Sequence, residues 1–457
     1  MSLKSSRARR AAWEAGVKHC TFDPDGPGVV RIHLIPPVYR RFGRAESIVI
    51  LNGYYILPLG YAWAQLLSAF MDEVNAFDGK TISEEEGEAI YENTVAAVSR
   101  IYPHVHRASI AEDLDEMLDV LFEVARGGTP SVDIGKMSIR AYAPHMSAPH
   151  RMDLMIAAMT DGEGKWQCNQ RCKFCYAAGE AHGACREMST EEWKQTIDRL
   201  REARIPMVTF TGGEPTLRQD LLELVDHAKW FVTRLNTNGV ALTDELITGL
   251  KAAGLDSMQV TLYHADAKIH NELTGAEFHD KTVDGIRRSV AAGLDVSVNT
   301  PLCRANADYE KTLAFIHSLG VRFITISGLI CTGGATEKHA DSDLTAEELT
   351  EILRRAKAYC DEHGMEMDFT SPGLIPSSEL DALGLNVPAC GACLSNMAVT
   401  PDGTVVPCQS WLGSGAGLGH VLKDEWKDIW NHPTCRALRR MTEEEALSCP
   451  FRKRGEV

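Results

Sequence analysis

Three cysteines in one short stretch, Cys168, Cys172 and Cys175, stand at spacings that let their thiolates converge on one centre. Thiolates are soft ligands and suit zinc or an iron–sulfur cluster. A closed zinc site wants a fourth protein ligand and usually shows paired Cys-x-x-Cys knuckles. Three thiolates on a four-iron cluster instead leave one iron open to a substrate or cofactor. A second group follows near the C-terminus, Cys390-x2-Cys393-x9-Gly403-x4-Cys408, with Cys435 and Cys449 beyond it. In a reducing compartment 13 cysteines clustered in this way bind metal or do chemistry rather than form a disulfide framework.

These groups need elements to hold them. At 457 residues the chain is long enough for two or three domains, each with its own core. The segments Val30 to Ile35, Ser47 to Leu51 and Tyr54 to Leu57 read as strands, with Asn52-Gly53 as a hairpin turn. Helical patterns follow at Tyr61 to Val74, Ser83 to Ile101 and Ile110 to Ala125, the second opened by a Ser83…Glu86 capping box. This predicts an N-terminal α+β domain over residues 1–145. From Met152 to about Tyr359, strand and helix patterns alternate. Strands are expected at Leu154 to Met159, Met207 to Phe210, Phe231 to Leu235, Ser257 to Leu262, Asp295 to Asn299 and Phe323 to Ile326. The fold class is therefore α/β: a partial (β/α)6 barrel over residues 151–365, with its chemistry expected at the C-terminal strand ends. A Pro/Gly/Ser-rich connection, Thr370 to Leu385, then leads to a small cysteine-rich domain over residues 385–457.

The first cysteine group resembles the hallmark of the radical S-adenosylmethionine (SAM) superfamily, Cys-x3-Cys-x-aromatic-Cys, with Phe174 in the aromatic place. In that family the open iron chelates SAM. An electron from the reduced cluster then cleaves the sulfonium to a 5′-deoxyadenosyl radical, which abstracts hydrogen from a substrate. Thr211-Gly212-Gly213-Glu214-Pro215 matches the family's Gly-Gly-Glu-Pro motif, which holds the SAM amino group; Glu214 offers an acceptor for it. Asn238, in Asn236-Thr237-Asn238-Gly239, resembles the third-strand Thr-Asn-Gly. Thr261 and Asn299, at the ends of the next two strands, fall where the family contacts SAM. Cys303, Cys331 and Tyr263 lie just after strands, at the mouth where substrate would sit, and are the catalytic candidates; buried inert side chains are the alternative for each.

The C-terminal group resembles the opening of SPASM and twitch extensions, which bind auxiliary four-iron clusters. The full motif continues with four more closely spaced cysteines that this chain lacks, so the resemblance implies one auxiliary [4Fe-4S] cluster, held by Cys390, Cys393, Cys408 and, as fourth ligand, Cys449. Cys435 falls in an apparent helix and reads as a small buried hydrophobe. A zinc knuckle is the alternative for the group.

Such extensions accompany peptide-modifying maturases, and the N-terminal element order resembles their winged-helix recognition modules, in which an edge strand captures a leader peptide. A cap or dimerisation module is the alternative. A peptide is thus the expected substrate, with small-molecule or cofactor biosynthesis, or a cluster-bearing sensor without turnover, as the other readings. The resemblance also implies flavodoxin or ferredoxin as electron donor. A net charge of −16 disfavours nucleic acid as the main partner. No apolar run approaches the roughly 20 residues of a membrane span. The basic start, Met1 to Ala12, lacks the apolar stretch of a secretion signal, so a cytoplasmic location is expected.

Overall fold

The computed structural model describes residues 17–22, 30–36, 47–77, 82–126, 135–336 and 342–451; the basic N-terminal stretch and Arg452 to Val457 lie outside them. Contacts divide the chain into two compact units, the first centred on residues 1–150 and the second on the remainder.

The N-terminal unit is built on an antiparallel sheet in the order β1 (Lys18–Phe22), β2 (Val30–Ile35), β3 (Ser47–Leu51) and β4 (Tyr55–Leu59). The three expected strands form, and β1 adds a fourth by pairing Cys20 with Ile32. Its sequence, Lys-His-Cys-Thr-Phe, is too short and polar to announce a strand by itself. Asn52 and Gly53 both take positive φ, 49° and 67°, as the β3–β4 turn requires. Three helices follow: α1 (Tyr61–Asn75), α2 (Glu84–Ile101) and α3 (Arg107–Ala125). Ser83 and Glu86 close the expected capping box at the start of α2. Leu51 and Leu57 of the sheet share one core with Leu67 and Met71 of α1, Val98 of α2, and Leu114 and Leu121 of α3.

The second unit carries a ten-stranded sheet in the order β11-β10-β9-β8-β7-β6-β5-β12-β13-β14. Its first six strands along the chain are β5 (Arg151–Ala157), β6 (Met207–Gly212), β7 (Val232–Thr237), β8 (Ser257–Thr261), β9 (Asp295–Pro301) and β10 (Phe323–Ser327). Helices Thr190–Glu202, Leu221–His227, Asp244–Ala252, His279–Ala291 and Tyr309–Ser318 connect them, and Ala346–His363 follows β10. The pairs β5–β6, β7–β8, β8–β9, β9–β10 and β10–β11 are parallel, as strand–helix alternation demands. The sheet does not stop at the six expected strands. Beyond residue 365, β11 (Glu366–Phe369) pairs with β10. At the other side β12 (Asn396–Val399) pairs in parallel with β5, and β13 (Thr404–Val406) and β14 (Gly419–His420) extend the edge. The cysteine-rich segment is thus sewn onto the first barrel strand.

Alternation along β8, β9 and β10 separates two faces. Met258, Val260, Val296, Val298, Ile324 and Ile326 are buried on one. Gln259, Ser297, Asn299 and Thr325 occupy the other, where Gln259 donates to Thr325 Oγ1 at 2.7 Å across the intervening β9. Side chains two strands apart meet only on the concave side of a curled sheet, so the barrel interior here is polar, unlike the aliphatic layers that fill a closed (β/α)8 barrel.

Glycines permit the tightest packing. A Cβ on Gly285, within helix His279–Ala291, would lie 2.4 Å from the Gly239 carbonyl oxygen. Gly285→Ala is expected to cost about 1–3 kcal/mol through overpacking, read as a lowered thermal unfolding midpoint by circular dichroism; an unchanged midpoint would contradict this packing.

Candidate functional site

Cys168, Cys172 and Cys175 lie on the loop after β5. Backbone bonds hold that loop at the end of helix Ala267–Thr274: Arg171 N donates to Thr274 O at 2.8 Å and Lys173 N to Leu273 O at 2.9 Å. Gly275 ends the helix with φ 63°, and a Cβ there would come within 2.6 Å of Arg171 O. On another side, Gly334 N donates to Cys175 O at 2.8 Å, and Gly333 has φ 56° and no room for a Cβ, which would sit 2.4 Å from the same oxygen. The loop is therefore gripped by backbone on both sides, with each grip dependent on glycine.

The electrostatics bear on what the thiols can hold. Burial pushes the Cys168 thiol up to about 12, and the negative Glu214 and Cys175 add to the rise. Cys172 is raised further by burial and by Cys175 and Cys168, and Cys175 by burial. The strongest forces on all three oppose ionisation, so thiolates form here when a cationic centre takes them. Among the described residues no three His, Cys, Asp or Glu side chains close on a single metal ion.

Beside them stands the Gly212–Pro215 turn. Gly212, with φ 128°, and Gly213 are required by the neighbouring backbone: a Cβ would meet Ala157 O at 2.2 Å and Ala158 O at 2.7 Å, respectively. Gly213 O lies 3.6 Å from Cys168 Sγ. Glu214 is buried, with a donor at each carboxylate oxygen. Its Oε1 accepts from Thr216 N at 3.1 Å, Thr216 Oγ1 at 2.5 Å and Thr237 Oγ1 at 2.6 Å, and its Oε2 from Asn238 N at 2.8 Å. Glu214 thereby braces the ends of β6 and β7. Pro215 starts the short turn that supplies the Thr216 donors. Asn238 extends the brace, its Nδ2 donating to Asn169 Oδ1 at 2.6 Å, so it reaches the cysteine loop itself.

Thr261 ends β8 half-buried, and Asn299 accepts from Thr325 Oγ1 at 3.1 Å on the polar face. Phe174, Tyr263 and Cys303 pack with Cys172, Leu273 and Leu329 in one small cluster. Tyr263 and Cys303 are 5% and 1% exposed, so they form the packing behind the cysteine loop rather than an open mouth. Cys331 is half-buried and opens the Gly333-Gly334 strap.

Sequence reasoning missed Arg218, Asp220 and Glu187. Arg218 makes a bidentate pair with Asp220 at 2.8 and 2.7 Å and reaches Ile156 O at 2.8 Å and Glu187 Oε2 at 2.9 Å. Glu187 Oε1 in turn accepts from Ala158 N at 2.8 Å. The network ties the glycine turn to the end of β5. Gly333 and Gly334 were missed too, although a Gly-Gly pair after the sixth strand repeats the signal that drew attention to Gly212-Gly213.

The C-terminal thiols form a second group. Cys393 sits in a tight turn with φ 59° after Cys390, and Cys408 follows β13. Burial pushes the Cys408 thiol up to about 12, with the nearby Cys390 and Cys449 thiols adding to the rise. Trp411 and Phe451, edge to face at 5.1 Å, tie the Cys408 segment to the Cys449 segment. Cys435 is wholly buried on helix Pro433–Arg439, in contact with Cys393. The hydrophobic cluster around Met155 and Val406 also takes in Cys168, Cys175, Tyr176 and Trp411, so the two thiol groups share a wall.

Reconstituted under anaerobic conditions, Cys168/Cys172/Cys175→Ala is expected to carry about four fewer irons per chain than the parent, and Cys390/Cys393/Cys408→Ala likewise. Iron and sulfide analysis checks this, and unchanged iron in either variant would contradict the assignment of that group.

Comparison with known proteins agrees with this geometry. Residues 167–316 match the radical SAM superfamily, and residues 390–450 match an iron–sulfur cluster-binding domain. A probable GTP 3′,8-cyclase from Methanopyrus kandleri is 32% identical over 250 residues, which is 53% of this chain and 78% of that protein. A PqqA peptide cyclase from Ruegeria pomeroyi is 26% identical over 293 residues, 63% of this chain and 74% of that one. The chain spans about half, 49%, of an AdoMet-dependent heme synthase from Oleidesulfovibrio alaskensis, at 32% identity over 190 residues, or 41% of this chain. In fold it is similar to Streptococcus suis SuiB bound to the precursor peptide SuiA, with a TM-score of 0.58 and 13% identity over 93% of this chain and 91% of that one. With its two thiol groups, its glycine turn and its curled parallel sheet, this chain belongs to the radical SAM superfamily, as an enzyme with a C-terminal auxiliary iron–sulfur domain.

Proposed function

We propose that this enzyme directs its radical chemistry at a peptide. The observation that carries the reading is the match to a PqqA peptide cyclase, which extends over 63% of the chain. Bound SAM and its cluster supply a 5′-deoxyadenosyl radical; the protein's own residues hold, orient and shield that chemistry. In this reading Cys168, Cys172 and Cys175 hold the SAM-binding cluster. Gly213 O, beside Cys168, receives the SAM amino group, and Glu214 with Asn238 keeps the turn in place. Thr261 and Asn299 line the polar interior toward SAM. Cys390, Cys393, Cys408 and Cys449 hold a single auxiliary cluster.

The N-terminal unit offers a place for a peptide. A groove of about 540 Å³ runs between β3–β4, α1 and α3, floored by Leu57, Leu59, Trp63 and Val120 and lipped by Glu116, Asp119 and Glu123. Addition of a strand at β4 suits it less well. Ile56 O already accepts from Met137 N at 2.8 Å, and Pro58 has no N–H to donate. The groove therefore favours a segment with apolar side chains and basic neighbours over one captured by backbone pairing. Flavodoxin or ferredoxin supplies the electron, and cysteines that form no disulfide among the described residues suit the reducing cytoplasm. Among the described residues no helix is long and apolar enough to cross a membrane.

The test is 5′-deoxyadenosine formation by the reduced enzyme, with and without short peptides encoded beside its gene. The peptide reading expects one of them to stimulate SAM cleavage and to emerge with altered mass. Glu116/Asp119/Glu123→Lys should raise the KM for that peptide by about tenfold or more, the worth of roughly 1.4 kcal/mol, and leave peptide-free cleavage unchanged. Turnover of a small molecule with no response to any peptide would overturn the reading.

A further inference from the structure

The curled sheet carries a second hollow, at the end opposite the cysteine loop. A cavity of about 220 Å³ lies where β8 to β11 begin: Ser257, Asp295, Phe323 and Glu366 are the first residues of those strands, and all four line it. Arg234 of β7 and Asp368 of β11 add to its polar wall. The cysteine loop follows the C-terminal end of β5, so the two sites sit at opposite ends of the parallel strands. Arg234 reaches past β8 to β9, where its Nη2 donates to Ser297 Oγ at 3.2 Å. Its Nε is buried and finds no acceptor in the protein. No carboxylate pairs with it among the described residues, although Asp295 and Asp368 are near enough to act on its charge. A guanidinium is a permanently charged fork that suits a bidentate oxyanion. This one faces a cavity without such a partner.

We propose that this cavity binds a small α-amino acid in its zwitterionic form, with the carboxylate on Arg234 and the ammonium between Asp295 and Asp368. The charges disfavour simpler ligands. An anion alone would face Asp295, Glu366 and Asp368, and a cation alone would face Arg234. The volume lies below the roughly 300–1,000 Å³ of sites for drug-sized ligands, so a molecule of few heavy atoms fits. Phe323, 43% exposed, and Met367 give the cavity an apolar side, which favours an aliphatic side chain on the ligand. The inference needs neither the peptide reading nor either cluster assignment.

The test is anaerobic titration calorimetry of the holoenzyme with L-leucine, SAM being held in excess so that its own site is filled. Leucine should bind saturably, at one site per chain. Its analogues 4-methylpentanoate, without the ammonium, and 3-methylbutylamine, without the carboxylate, should each bind at least about tenfold more weakly. Arg234→Gln should weaken leucine by a similar factor, and Arg234→Lys, which keeps the charge but loses the fork, should fall between it and the parent. Asp295→Asn/Asp368→Asn changes exposed carboxylates and should weaken leucine with the thermal unfolding midpoint unchanged, so the test stands even where Arg234→Gln does not fold. No saturable binding, or binding that survives the arginine and aspartate variants alike, would overturn the proposal. Either analogue bound as tightly as leucine would overturn it too, leaving a site for a simple anion or a simple amine.

Discussion

Three desolvated thiols crowded into one loop beside a buried carboxylate are the constraint on which the rest of this structure turns. Burial outweighs the backbone N–H groups that favour the thiolates, so the loop is stable as thiolate around a cationic centre and must be held in shape by other means. The means are backbone contacts. Helix Ala267–Thr274 holds one side through Arg171 and Lys173, and the Gly333-Gly334 strap holds the other through Cys175. Side chains at those glycines would collide with the cysteine loop, so the grip is built from residue types that cannot be exchanged freely.

The same logic extends through Glu214. A buried carboxylate with every oxygen satisfied is a rigid node, and this one joins the ends of β6 and β7 while Asn238 carries the connection to Asn169. Arg218 repeats the device toward the end of β5. Preorganisation of this kind fixes where a cofactor can lie before it arrives, which is what a site handling a reactive radical requires. The auxiliary domain belongs to the same arrangement because β12 pairs directly with β5. The strand that delivers the first cysteine loop is also the strand to which the second thiol group is anchored.

The parts legible in the sequence were those whose chemistry is local. Cys168-x3-Cys172-x2-Cys175 and Gly-Gly-Glu-Pro declare themselves by residue type and spacing, and strands β5 to β10 by apolar runs between helical periods. What was not legible depends on partners distant along the chain. Lys18–Phe22 becomes a strand because β2 offers it an edge, and Asn396–Val399 because β5 does; neither has a pattern strong enough to stand alone. The glycines of the motif carry a second constraint that spacing does not show, since a Cβ at either would run into the backbone of Ala157 or Ala158. Glu214 was recognisable as a special residue but not as a brace, because two of its four donors, Thr237 Oγ1 and Asn238 N, come from positions that only the fold brings near it.

The central claim is that one chain holds two iron–sulfur clusters, one of which meets SAM directly. Mössbauer spectroscopy of 57Fe-reconstituted protein, with and without SAM, addresses it most directly. The account predicts two four-iron clusters, with a single iron site of one of them changed by SAM and the other cluster unaffected. Zinc in place of iron, or cluster spectra that SAM leaves entirely unchanged, would contradict it.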